Sequence, residues 1–247
     1  EISTLEIEAG TDAILSDTLS DYFTLNILEG SNAENAITAK QLDCTGKDEN
    51  GYTWTEASTQ PEMQIDVTGK TINVTGFNYT KNAVTATTKN GTTNYSGSKL
   101  VVTIPIKADT SCENWTSGEH FYPTNDTSDN RAGLSNYKDK NGETLLSTLL
   151  KESPEAKVTA YTVTYNWGDA PAGQTLPTDS RNYIPGQSYT VNSSFREDTI
   201  VPDANGGSYQ FSGWNDPNDP KGVMGTKDVT IIGSWKHTEP TPPDPTY

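Results

Sequence analysis

Two cysteines, two histidines and 33 carboxylates are the side chains with which this 247-residue chain could do chemistry. His120 and His237 stand far apart in sequence. A zinc site, a Ser/His/Asp triad or a histidine general base needs convergent partners that two isolated imidazoles do not supply, so both read as solvent-exposed side chains. Carboxylate pairs are everywhere in so acidic a chain, and sequence alone does not hold two of them at a working distance. The loops Asn125–Asn130 and Asn215–Asp219 offer oxygens but lack the glycine and distal glutamate of a calcium loop, so they read as solvated turns. Gly206-Gly207 after Asn205 reads as a hairpin turn, not a phosphate cradle. No enzyme signature results, and neither a metal nor a cofactor is expected. Cys44 and Cys112 have two readings: a disulfide closing a long loop, stabilising by roughly 3–5 kcal/mol, or two unrelated thiols. The even count in an exported chain favours the bond. Trp167, Trp214 and Trp235 have two readings as well: a glycan-stacking platform or, in view of their place within or beside strands, sheet packing.

Those side chains must be positioned by strands. Only 32% of the residues are apolar, yet there are 12 Tyr, 5 Trp and 5 Phe, a balance that suits thin sheets with one wet face. Tyr22–Leu28, Lys70–Thr75 and Lys99–Lys107 alternate as half-buried strands do, as does Thr4–Glu8, and Pro105 confines the end of the third run to an edge or bulge. Asn50-Gly51, Asn90-Gly91 and Asn141-Gly142 mark turns. Glu143–Lys151 reads as a helix with Leu145, Leu146, Leu149 and Leu150 on one face, or as an irregular strand. Strict alternation resumes at Val158–Trp167, with further strands expected at Ser188–Val191, Ser208–Trp214 and Asp228–Lys236. The chain closes on a proline-rich stretch, a semi-rigid extended spacer.

A net charge of −16 repels a phosphate backbone, so no nucleic-acid partner is expected. No run of eighteen apolar residues exists, so no membrane insertion is expected within these residues. With neither signal peptide nor sorting signal in view, the chain reads as a mature or excised fragment whose anchoring device lies outside it.

Tyr161–Trp167, Leu176–Ser180, Tyr183–Val191, Phe211–Trp214 and Asp228–Trp235, in that order, resemble the SHIRT domains of Gram-positive surface proteins, and are similar to internalin-type B repeats and mucin-binding-protein repeats. The resemblance spans Ala160 to Lys236 and implies a small β-rich repeat module that extends an adhesive head from the cell wall. Ser16–Phe23, Gly76–Val84, Tyr95–Ile106 and Tyr122–Asp126 resemble the sandwich domains that accompany von Willebrand A modules in pilus-tip-like adhesins. Members of that group often carry a Lys-to-Asn isopeptide bond assisted by a buried acid. Asp17 matches the acid and Asn125 the asparagine, but the family's early-strand lysine has no counterpart in Ile2–Glu8, so no isopeptide is expected in this fragment.

The expected fold is all-β: an Ig-like or pilin-like β-sandwich over residues 1–157, a SHIRT-like β-rich module over 158–237 and a proline-rich linker over 238–247. The expected function is a non-catalytic stalk of a wall-anchored extracellular adhesin, monomeric, projecting a head toward a host or neighbouring-cell glycan, mucin or matrix protein. The alternatives are a carbohydrate- or mucin-binding module, and an accessory region of a large secreted glycosidase or peptidase.

Overall fold

The computed structural model describes residues 13–127, 132–138, 144–145, 148–149, 153–169, 175–191, 199–218 and 222–242. The expected strand Thr4–Glu8 and the turn Asn141-Gly142 lie outside them. In chain order the first strands are β1 (Ile14–Thr18), β2 (Phe23–Leu25), β3 (Thr38–Asp48), β4 (Gly51–Glu56), β5 (Gln64–Thr68), β6 (Thr71–Thr75) and β7 (Thr85–Lys89). Then come β8 (Thr92–Ser96), β9 (Ser98–Thr103), β10 (Ile106–Ala108), β11 (Gly118–Pro123), β12 (Gly133–Ser135), β13 (Tyr137–Lys138), β14 (Thr144–Leu145) and β15 (Thr148–Leu149). The last are β16 (Glu155–Asn166), β17 (Asn182–Tyr183), β18 (Ile200–Pro202), β19 (Ser208–Asn215) and β20 (Val229–Thr238). Helix is confined, among the described residues, to Ala33–Ala36 and a 3₁₀ turn at Tyr79–Lys81. The all-β, sandwich-type class expected from the sequence is therefore the observed one. Of the two readings of Glu143–Lys151, helix or irregular strand, the described residues take the second, as the strand pieces β14 and β15, since β-pairing with β13 and β12 overrides the local helical spacing.

The chain divides into two compact units: residues 1–109 with 122–156, and residues 110–121 with 157–247. In the first, one sheet runs β15-β12-β1-β6-β5 and a second runs β4-β3-β9, with β10-β2 and β7-β8 as two-stranded pairs. Period-2 alternation sends Ile72 and Val74 of β6 inward, where Leu15, Ile65 and Val67 of their own sheet join Ala39, Leu100 and Val102 from β3 and β9. Ile72 and Val74 are almost fully buried, and each such side chain contributes about 1.5–3 kcal/mol. Pro105 breaks the β9–β10 run, where its carbonyl accepts the Asn26 N–H.

In the second unit the sheet order is β11-β16-β20-β19-β18, with β17 also on β16. β16 and β20 pair in parallel, Val163 with Val229 through Asn166 with Ile232, whereas β19 and β20 pair antiparallel around a bulge between Phe211 and Gly213. The core gathers Val163, Tyr165, Tyr183, Tyr189, Met224, Val229 and Ile231. Ser188, expected to begin a strand, makes a single bridge to Val223.

Candidate functional site

The residues singled out in the sequence, the two cysteines apart, fall into three groups. The first is aromatic. β16 ends at Asn166, whose Oδ1 accepts the Gly168 N–H and turns the chain just past Trp167. β19 brings Phe211 and Trp214, and β20 brings Trp235. Phe211 lies 5.1 Å from Trp214 and 5.1 Å from Trp235, at interplanar angles of 64° and 66°. Trp167 lies 6.4 Å from Trp214 and 5.6 Å from Trp235, tilted by 31° and 54°. The Trp235 Nε1–H donates to the Trp167 carbonyl at 2.8 Å. All three indoles are half-buried; Trp214 and Trp235 pack on Phe211, Trp167 packs tilted on both of them, and the three form no coplanar row.

Two glycines lock this nest to the parallel strand pair. Gly168 has φ +70°, and a Cβ there would collide with the carbonyl oxygen of Gly233 in β20. A Cβ on Gly233 would in turn lie 2.9 Å from the Trp167 carbonyl oxygen and 3.0 Å from Trp235 Nε1. Only a bare backbone at both positions lets the end of β16 close on β20.

The second constellation is the Asp17–Asn125 pair. β1 presents Asp17, and the bridge between Leu19 and Asn125 brings the asparagine alongside it. Asn125, only 6% exposed, donates its Nδ2–H to Asp17 at 2.5 Å, while its Oδ1 accepts the Thr124 hydroxyl at 2.9 Å. Burial raises the Asp17 pKa above the ordinary carboxylate value. Lys70, whose carbonyl accepts the Leu19 N–H, directs its Nζ instead to the carbonyls of Ser20 and Asp21 and to the Asp109 carboxylate. The two residues carried over by resemblance thus meet, although 108 positions separate them.

The cysteines form no third site. Cys44 and Cys112 are buried free thiols, which corrects the expected disulfide. Each thiol is buried within its own unit. Cys44 sits on β3 of the first unit, its Sγ–H 3.5 Å from the Gly46 carbonyl, whereas Cys112 belongs to the 110–121 segment of the second unit. That segment is held by side chains the sequence gave no cause to single out: buried Gln187 donates to the Cys112 carbonyl at 2.7 Å, and Asn182 to the Trp115 carbonyl at 2.8 Å. Intact mass is expected to be the same with and without reductant, with both thiols alkylated only on unfolding; a two-hydrogen difference would overturn this assignment.

The third set is polar, each side chain in its own local contact. His237 Nε2 lies 2.9 Å from Asp203 and its ring stacks 4.4 Å from Tyr209, which lowers the Asp203 pKa through the histidine bond. His120 Nε2 instead meets the Ser117 carbonyl. In the Asn215–Asp219 loop, Asp216 accepts from the Tyr189 hydroxyl and the Asn218 N–H, and the tyrosine pKa is pushed up to about 12, chiefly by burial. Asp179 does the same for Tyr183. Among the described residues no three His, Cys, Asp or Glu side chains gather as a metal cluster would require, and no helix is long and apolar enough to cross a membrane.

No curated protein and no solved structure matches the chain. The SHIRT domain family model matches residues 159–238, about a third of the chain, from within β16 to the last residue of β20. The chain therefore contains a SHIRT domain, a module typical of secreted or cell-surface bacterial proteins.

Proposed function

We propose that this chain is a non-catalytic, tension-bearing spacer of a wall-anchored Gram-positive adhesin, holding a distal head toward a glycan, mucin or matrix protein on another surface. The observation that carries the reading is the parallel pairing of β16 with β20, the strands at the two ends of the SHIRT domain. Pulled from its ends, the domain drags two parallel neighbours in opposite directions along their length. The ladder from Val163–Val229 to Asn166–Ile232 is then loaded all at once, in shear. An antiparallel hairpin pulled from its open end loses its bonds one at a time. The tilted, half-buried indoles fit the same reading, since they tie the end of β16 to β19 and β20 and present no flat stacking row.

Single-molecule stretching tests it. With handles at the chain ends, rupture of the SHIRT domain, lengthening the chain by up to about 280 Å, should need several-fold more force than rupture with handles at Asn205 and Glu239. The second geometry peels β19 from β20 starting at the Ser208–Thr238 pair. Equal forces in the two geometries would remove the mechanical basis of the proposal.

A further inference from the structure

The outer face of the β4-β3-β9 sheet in the first unit sets cations against aromatic rings. Ala39, Leu100 and Val102 face the core, so Lys40 and Leu42 of β3, with their cross-strand partners Val101 and Lys99 of β9, face outward. Trp54 of β4 stands opposite Cys44 and shares this face, as does Tyr52 two residues away. Simple alternation from Cys44 would turn Lys47 inward. The β-bulge between Cys44 and Gly46 resets the phase and pairs Lys47 with Tyr52 on the outside.

Two cations then lie against aromatic rings: Lys47 Nζ is 5.2 Å from the Tyr52 centroid, and Lys99 Nζ is 4.6 Å from that of Trp54. Tyr95 of β8 packs edge-on against Tyr52 at 6.2 Å. Tyr52 is 43% exposed and Val101 36%. Lys40 is paired with Glu56, but neither Lys47 nor Lys99 meets a carboxylate among the described residues, in a chain where acids outnumber bases 33 to 17. Two ammonium groups kept from so many acids, and set instead on an exposed tyrosine and a half-buried tryptophan, mark a surface that complements an external anion.

The geometry points to this face as a docking surface for an acidic, uronate-type glycan, whose carboxylates take Lys47 and Lys99 and whose C–H faces lie on Tyr52, Trp54 and Tyr95. A sugar fits better than an acidic peptide. Peptides recognised by sheets add to the backbone of an edge strand, whereas what this face offers is side chains, rings for C–H faces with ammonium groups set on them for carboxylates. The inference is independent of the spacer reading, because it rests on other residues in the other unit.

The test is titration of the full chain with tetragalacturonate, followed by ¹H–¹⁵N NMR. Resonances of Lys47, Tyr52, Trp54, Tyr95 and Lys99 should move together, and the affinity should fall as salt is raised. The methyl-esterified tetrasaccharide, uncharged but of the same ring shape, should bind at least tenfold more weakly, as should the Lys47→Glu/Lys99→Glu double variant. An unchanged melting temperature would show that the variant is folded, and the wild-type shift map stands without it. Shifts elsewhere only, or none, would overturn the proposal; so would hexaglutamate moving the same resonances with equal or higher affinity, which would make the face a peptide site.

Discussion

Replacing Gly168 with alanine should destabilise the second unit by about 3 kcal/mol, as the sum of a left-handed backbone penalty of roughly 1–2 kcal/mol and a comparable steric term. The added methyl meets the Gly233 carbonyl oxygen, a backbone atom of a paired strand that no rotamer change can move aside. Relief requires the end of β16 to draw away from β20, which breaks the Trp235–Trp167 hydrogen bond and opens the indole nest around Phe211. Gly186→Ala is the control: its φ is +86°, but nothing lies within 4 Å of the added Cβ, so only the conformational cost applies. Urea unfolding followed by tryptophan fluorescence should give a clearly larger loss at Gly168 than at Gly186. Equal losses would mean that the two-glycine contact contributes nothing beyond backbone conformation.

The ease with which each part of this fold is read from sequence follows how local its cause is. Tyr161, Val163 and Tyr165 alternate toward one side because a strand's period is two, and the core takes all three. Asn50-Gly51 and Asn90-Gly91 close hairpins because those residues accept positive φ, as Asn90 does at 52°. What stayed hidden depends on distant partners. Nothing within residues 110–121 says that Gln187 and Asn182 will claim their carbonyls, so the free, buried state of Cys112 could not be foreseen. The helical spacing of Glu143–Lys151 is genuine, but strand pairing decides the outcome. Lys47 gave no signal at all, because its face depends on one bulge residue, and a bulge shifts phase without changing composition. Asp17 and Asn125 were found only by resemblance; their contact is a product of sheet register.

Asn125→Ala should cost the first unit about 2–3 kcal/mol near neutral pH, more than a typical surface change, because it leaves a half-buried carboxylate without its amide donor. The pH dependence separates this cause from simple loss of packing. Burial places the folded-state pKa of Asp17 above its unfolded value near 3.8, so between the two the native state binds the proton more tightly than the unfolded chain. Stability contributed through Asp17 therefore falls as pH rises across that window, and its ionised form depends most on the Asn125 N–H. The cost of Asn125→Ala should accordingly be largest at neutral pH and shrink as pH falls through the Asp17 titration. In an Asp17→Asn background, where no charge forms, the same substitution should show no such slope. Denaturation midpoints of the four proteins of this cycle, measured between about pH 4 and pH 7, decide the matter. A cost of Asn125→Ala that is flat with pH in the wild-type background would mean that the asparagine acts by filling space and not by solvating the buried charge.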